Sequence, residues 1–215
     1  MSRRAAAELL SAAYWGPVVA LLELRWRLHR SDAEDLAQDF FAAAFAKDWF
    51  ARYDAAKGRF RTFLRTCVDR FASDAARAKA RLKRGGGADE ESLDAADTDL
   101  IGAPDETDAR IHDEWVRGVL AVALDAFRSE AQAAGKSTQV AIFVAYDVDD
   151  PPDAERPSYR SLAQRFGISE TQVTNYLNWS RREYRRHVLD ALRALAGNDA
   201  EFQEDARDLL GNRPV

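Results

Sequence analysis

The chain has 215 residues, of which 47% are apolar and 31% are charged, and its formal net charge is −5. This composition can bury one moderate core or two small ones, and 11 glycines and 6 prolines are too few for a fibrous or wholly disordered protein. The single cysteine, Cys67, excludes an internal disulfide, and three scattered histidines lack metal-ligand spacing. We therefore expect a reducing compartment and no structural metal or other cofactor.

The N-terminal stretch begins with Arg3 and Arg4, and Glu8 and Ser11 interrupt the residues that follow. From this pattern we expect neither a signal peptide nor a membrane span. The sequence therefore predicts a cytoplasmic protein without a membrane partner.

Charge is segregated along the chain. Residues 58–84 contain nine Lys and Arg against two Asp, residues 88–114 contain eleven Asp and Glu against one Arg, and residues 156–186 contain seven Arg against two Glu. Two basic segments thus flank an acidic one, which favours nucleic-acid binding in spite of the acidic total. The opposite charges also predict some electrostatic masking of the basic segments in the free protein.

Apolar residues recur at helical spacing through almost the whole chain, and no run of β-branched residues is bounded by hairpin turns. We therefore predict an all-α fold. Ser31 and Glu34 have the spacing of a capping box, which predicts a helix that starts near Asp32. A second amphipathic helix is predicted where apolar residues follow one another at three or four positions: Phe60, Phe63, Leu64, Cys67, Val68 and Phe71.

The chain is predicted to form two small helical domains joined by a flexible acidic linker. Gly85, Gly86 and Gly87 end the first helical region, and the acidic stretch that follows has too few aromatic residues to offset its ordering entropy. A loop rich in Asp and Pro, from Asp147 to Pro157, interrupts the second domain. The predicted boundaries are 1–12 for an N-terminal extension, 13–85 for the first domain, 86–110 for the linker, 111–195 for the second domain and 196–215 for a tail with one short amphipathic helix.

A helix-turn-helix is predicted near the C-terminus. Ala163 is a small residue for the helix contact, Gly167 suits the turn, and Val173 belongs to the core between the helices. Ser169 and Gln172 form a capping box that marks the start of the second helix. A helical hairpin with a solvated, charged face would show some of these features too, but their coincidence with a row of arginines favours DNA binding.

Residues 32–87 resemble the second conserved region of bacterial sigma factors, most specifically in the pieces DAEDLAQDFF and GRFRTFL. The helix-turn-helix resembles the fourth region of the same family. The order and separation of the two resemble the extracytoplasmic-function group, which keeps only these two domains and a linker. The resemblance covers most of residues 13–195.

The resemblance implies three sets of binding residues. For docking on the β′ clamp helices of RNA polymerase core, it implies Asp35, Gln38 and Asp39. For the minus-ten promoter element, the candidates are residues whose side chains suit unstacked bases and backbone phosphates: Tyr53, Lys57, Arg59, Arg61, Arg65, Arg70, Arg77, Lys79 and Arg81. For the minus-thirty-five element, the candidates are Arg160, Thr171, Gln172, Thr174, Asn175, Tyr176, Asn178, Arg181, Arg182 and Arg185.

Some of these residues can have a structural role instead of a binding role. Asp35 can stabilise the helix through its dipole rather than bind polymerase. Phe60 and Phe63 are expected in the core rather than against bases, because aromatic residues at helical spacing usually pack.

The implied function is a sigma factor whose partners are polymerase core (β′ clamp helices and β flap) and promoter DNA, with an anti-sigma factor as a further candidate. The rivals are a stand-alone helix-turn-helix regulator and a sigma-like adaptor without promoter activity. No catalytic triad or phosphate-binding glycine loop is found, so we do not expect an enzyme.

Overall fold

The computed structural model describes residues 2–83, 104–149 and 156–211. Within these ranges the chain is helical and contains no strand, which confirms the predicted all-α class. The helices are α1 (Arg3–Arg25), α2 (Arg30–Ala46), α3 (Phe60–Lys83), α4 (Pro104–Ala133), α5 (Ser137–Phe143), α6 (Tyr159–Phe166), α7 (Glu170–Leu195) and α8 (Asp199–Leu210). A 3₁₀ turn (Trp49–Arg52) follows α2, and a π-helical turn (Val144–Val148) follows α5.

The chain divides into two compact units. The first unit is Met1–Gly118 together with Leu195–Val215, and the second is Val119–Ala194. The boundary thus falls within α4, eight residues beyond the predicted end of the linker. The last seven residues of the predicted 86–110 linker are helical, because α4 begins at Pro104, and the rest of the linker lies outside the described residues.

Helices α1, α2 and α3 form the core of the first unit through their apolar faces. Phe40 on α2 is fully buried, and its ring lies 5.7 Å from Phe71 on α3 and 6.0 Å from Trp49. On α3, Phe60, Leu64, Val68 and Ala72 recur every four residues or so and are all at most 5% exposed. The predicted apolar stripe of α3 is therefore confirmed.

Helix α2 starts earlier than the capping-box pattern predicted. Its first residue is Arg30, its N-cap is His29 without a side-chain cap hydrogen bond, and Ser31 lies inside the helix. Glu34 accepts a hydrogen bond from Arg30 at 2.6 Å instead of capping. The capping-box prediction was wrong here, since the helix begins two residues earlier and the i,i+4 ion pair supports this additional N-terminal part.

Helix α1 bears on two expectations about the N-terminus. Residues 3–12, predicted as an extension, are helical and continuous with the rest of α1. By length and composition alone the helix could cross a membrane, which the sequence analysis did not expect. Its apolar face belongs to the core of the first unit, where Val18, Val19 and Leu22 are at most 1% exposed, and core helices commonly have such compositions.

Helix α8 belongs to the first unit, although residues 196–215 were predicted to be a tail outside both domains. Asn198 caps its N-terminus by accepting a hydrogen bond from the backbone N–H of Glu201 at 2.8 Å. Phe202 and Ala206 are 4% and 1% exposed, so the apolar face of α8 is packed. The predicted short amphipathic helix is confirmed, and it is part of a folded unit.

The second unit has its own core. The buried residues of this core come from α4 to α7: Leu124, Phe127, Ala131, Val140, Ile142, Phe143, Leu162, Ala163, Val173 and Leu177. Two polar groups tie α7 to the other helices, because Ser180 donates to the Gln139 carbonyl at 3.1 Å and the Tyr184 hydroxyl donates to the Leu120 carbonyl at 3.0 Å. Burial raises the pKa of Tyr184 to about 12.

Candidate nucleic-acid and protein interfaces

The turn between α6 and α7 has the geometry predicted for a helix-turn-helix. Gly167 ends α6 in the left-handed region at φ 66°, where a side chain would be disfavoured. The backbone N–H of Ile168 then bonds the Ala163 carbonyl at 3.0 Å. Ser169 and Gln172 form the predicted reciprocal cap. The backbone N–H of Gln172 donates to Ser169 Oγ at 3.2 Å, and the backbone N–H of Ser169 donates to Gln172 Oε1 at 2.9 Å.

The predicted base-contacting residues in the first turns of α7 differ in exposure and in their existing contacts. Thr171, Asn175 and Asn178 are exposed. Gln172 is exposed as well, but its amide oxygen already serves the helix cap. Thr174 and Tyr176 are half-buried, and Tyr176 packs against the core, so the exposed polar face is narrower than the sequence indicated.

The arginines of the second unit differ in how firmly they are held. Arg181 makes two bonds to the Asp147 carboxylate, at 2.8 and 3.0 Å, and this carboxylate raises its pKa above the ordinary value. Arg182 is the more accessible neighbour, with 72% of its side chain exposed and Glu183 at 3.8 Å. Arg160 lies 3.6 Å from Glu170, and Arg185 is half-buried. Arg182 and Arg160 can therefore reach a phosphate with less rearrangement than Arg181.

In the first unit, α2 presents an exposed polar face. Asp35, Gln38 and Asp39 are all exposed, and they lie opposite Phe40 and Phe41, which are 0% and 5% exposed. Among the described residues, these three side chains make no ion pair. A face that is polar, accessible and dispensable for the core can bind a protein partner.

The basic surface consists of the residues predicted for DNA in the loop before α3 and along α3, where Arg61, Arg65 and Lys79 lie on one side of the helix and Arg70, Arg77 and Arg81 on the opposite side. Tyr53 and Arg61 are half-buried at the N-terminal end of this surface, whereas Arg59 is exposed. Further along α3 the exposed members are Arg70, Arg77, Lys79 and Arg81, and in the loop Lys57. Lys57 lies 3.6 Å from Asp54, and Arg77 pairs with Asp74, as is common on solvated helices.

The aromatic residues beside this surface have different positions. Phe60 is 5% exposed and belongs to the core, as predicted. Phe63, which was also expected in the core, is only half-buried, and its ring lies 5.6 Å from that of Tyr53. Tyr53 and Phe63 thus form a small aromatic patch at the edge of the basic surface, which is suited to stacking on a base.

Part of the first unit is similar to a known family. The sequence profile of the family Sigma-70 region 2 matches residues 16–82. These residues, here called the region 2 domain, are therefore similar to region 2 of sigma-70 proteins. No curated protein and no solved structure matches the chain.

The region 2 domain contains both candidate interfaces of the first unit, the α2 face and the basic surface of α3. The match is confined to residues 16–82, and it supports a role of these residues in polymerase binding and promoter opening during transcription initiation. The helix-turn-helix of the second unit lies outside the matched residues, so its assignment depends on the geometry of α6 and α7.

Sequence analysis missed the acidic residues that lie on the basic surface of the region 2 domain. Tyr53, Arg59 and Arg61 each contact a carboxylate of α8, and Arg65 bonds Asp108 on α4 at 2.9 Å. The available signal was the acidic composition of residues 199–208 within an amphipathic helix. That pattern shows which face is buried but not which partner it meets.

Proposed function

We propose that the protein is a sigma factor of the extracytoplasmic-function type, which binds RNA polymerase core and directs promoter recognition and melting. The observation that carries the proposal is the region 2 match over residues 16–82, whose segment includes both an exposed acidic face and a basic surface. The chain itself catalyses no reaction in this role and requires no cofactor. Its site of action is the cytoplasm, where polymerase core is found.

Within this proposal the α2 face docks on the β′ clamp helices. Asp35, Gln38 and Asp39 supply carboxylates and an amide on one exposed helix face, and this suits a partner helix that offers Arg and Lys. Removing them should leave the fold intact because none of them contributes to the core.

The basic surface takes up the minus-ten element as a single strand. Tyr53 and Phe63 offer aromatic faces for an unstacked base, and Arg59, Arg61 and Arg65 follow as phosphate partners. Unstacked bases bind through stacking and backbone charge, so this combination of residue types supports strand capture.

The helix-turn-helix takes up the minus-thirty-five element as duplex. The exposed Asn175 and Asn178 on α7 can pair with base edges in the major groove, and Arg160 and Arg182 can fix the register on phosphates. The β flap of polymerase and an anti-sigma factor are further partners in this proposal, inferred from the sigma-factor resemblance alone.

The decisive experiment combines the purified full chain with polymerase core that lacks a sigma factor. We expect a stable complex and, on a library of randomised promoters, open thymines detected by permanganate only when both components are present. Asp39→Arg should weaken the complex, while Asp113→Arg, at an exposed acid on α4, should not. Failure to bind core would overturn the proposal, and tight duplex binding without core would instead favour a stand-alone regulator.

A further inference from the structure

Helix α8 has an acidic face. Its twelve residues contain five Asp and Glu and one Arg. Four of the carboxylates recur at i, i+3, i+4 and i+7 and therefore share one side of the helix: Glu201, Glu204, Asp205 and Asp208. Glu201 and Asp205 are only 5% and 4% exposed, which is rare for acidic residues unless they are paired.

The partners of these carboxylates are the residues proposed for the minus-ten strand. The Tyr53 hydroxyl donates to Glu201 at 2.9 Å, and Arg61 donates to Asp205 at 2.5 Å. Arg59 donates to Glu204. Three DNA-binding candidates in succession are thus occupied by three acids from one helix.

The same helix also covers the N-terminal end of α3. Glu201 accepts the backbone N–H of Phe60 at 2.8 Å, at the helix end where backbone donors and the helix dipole favour an anion. Asn198 donates to the Ala55 carbonyl at 3.1 Å in the loop before α3. Gly197 approaches the Tyr53 ring so closely that a Cβ would lie 2.4 Å from it. The contacts extend along the whole loop and into the first turn of α3.

We infer that α8 is an internal substitute for DNA on the surface formed by Tyr53, Arg59 and Arg61, and that it must leave this surface before the minus-ten strand can bind. The inference rests on the proposed function of that surface. A carboxylate and a phosphate compete for the same guanidinium donors, so each arginine can serve one of them at a time. The Tyr53 hydroxyl is likewise bound by Glu201 of α8, and Gly197, just before α8, lies against the edge of its ring.

The ion pairs between α8 and the basic surface can be replaced by contacts with DNA phosphates. The Arg59–Glu204 pair is about half exposed on both sides, 44% and 48%, and such pairs contribute little net stability. The buried Glu201 and the apolar Phe202 and Ala206 define the docked position, whereas the outer ion pairs can pass to incoming phosphates one at a time. The apparent DNA affinity is therefore the intrinsic affinity multiplied by the fraction of molecules in which the surface is open, and docked α8 lowers that fraction.

The test compares two variants that each remove two negative charges from the full chain. Glu204→Gln/Asp205→Asn weakens the α8 contact, and Asp113→Asn/Asp149→Asn changes two exposed acids elsewhere. The probe is fluorescein-labelled single-stranded DNA of about 12 random nucleotides, followed by anisotropy in about 0.1 M salt. We expect about tenfold tighter binding by the α8 variant than by the control variant.

Hydrogen exchange gives a second readout on the wild-type chain. Saturating single-stranded DNA should accelerate exchange of the backbone amides of residues 199–210, because α8 is displaced. If the buried Asp205→Asn change unfolds the chain, Glu204→Gln/Asp208→Asn provides the same comparison with two accessible acids.

Equal affinities of the two variants, with unchanged exchange in α8 at saturating DNA, would overturn the inference. If wild-type protein still binds core and opens promoters in that case, the proposed function stands and only the role of α8 fails. If wild-type protein neither binds core nor opens promoters, the proposed function fails, and the inference fails with it.

Discussion

Glu201 on α8 accepts a hydrogen bond from the backbone N–H of Phe60 at 2.8 Å, although 141 positions separate the two residues. Its other carboxylate oxygen accepts the Gly197 N–H at 2.8 Å and the Tyr53 hydroxyl at 2.9 Å. One buried side chain thus links the start of α3, the loop before it and the start of α8. The first unit is therefore closed by residues that follow the helix-turn-helix in the sequence.

This arrangement predicts the titration of Tyr53. Burial, and then the hydrogen bond to Glu201, raise the pKa of Tyr53 to about 12, above the ordinary value of about 10. Because docked α8 favours the protonated phenol, its stabilisation is complete below pH ~10 and is lost as pH rises through ~12. The difference in phenolate absorbance between wild type and Tyr53→Phe should show a step near pH 12.

The α8 variant provides the control for this titration. In Glu204→Gln/Asp205→Asn the phenolate step should move toward pH ~10, since the ring becomes accessible to water. A wild-type step already near 10 would contradict the docked position of α8.

The polymerase interface predicts loss of binding without loss of stability. Gln38→Ala/Asp39→Arg should weaken the complex with polymerase core at least tenfold, an effect of about 1.4 kcal/mol. The free energy of unfolding should change by no more than about 0.5 kcal/mol, because both side chains are exposed. Core binding is measured by fluorescence anisotropy and stability by urea unfolding, and an unfolded variant would assign these residues to the fold instead.

Substitutions in the core of the region 2 domain should lower stability and all activities together. Leu64→Ala or Phe41→Ala should cost about 2–5 kcal/mol, because both side chains are at most 5% exposed and a cavity would remain. Urea unfolding should show this loss, and core binding and promoter opening should decline together with it. Selective loss of promoter opening at unchanged stability would show that the side chain acts on DNA.

Local signals in the sequence predicted structure where both partners lie within a few residues. The Ser169–Gln172 cap and the turn at Gly167 were predicted and are present, because each depends only on its own backbone. The Ser31–Glu34 box failed because Glu34 had a competing partner, Arg30, at helical spacing. Capping residues are therefore reliable only when no other ion pair competes for them.

Long-range partners could not be predicted from the sequence. Nothing in the residues around Tyr53 indicates that Glu201 lies beside it, and the pairing of Arg181 with Asp147 likewise joins residues 34 positions apart. Helical periodicity identifies a buried face but leaves its partner open. The occupied state of the basic surface was therefore visible only in the folded chain.

The pairing of Arg181 changes the expectation for phosphate contacts on α7. Arg182→Ala should weaken binding to all promoters alike and lower the salt slope by about one unit, because its side chain is accessible. Arg181→Ala should mainly lower the stability of the second unit, since it leaves Asp147 without its bidentate partner. Salt titrations of holoenzyme on duplex promoter, with urea unfolding of each variant, separate the two effects.

A base contact by Asn175 on α7 should affect sequence preference rather than the salt dependence of binding. This residue is exposed and lies two positions after the fully buried Val173, so it points away from the core. An amide can pair bidentately with adenine, and Asn175→Ala should therefore relax discrimination at one base pair by about 1–3 kcal/mol while the salt slope stays constant. Selection of binding sites by holoenzyme from DNA randomised across the minus-thirty-five element measures this preference. If Asn175→Ala keeps the wild-type preference and Arg182→Ala alters it, α7 enters the groove in a different orientation and the arginine reads the base.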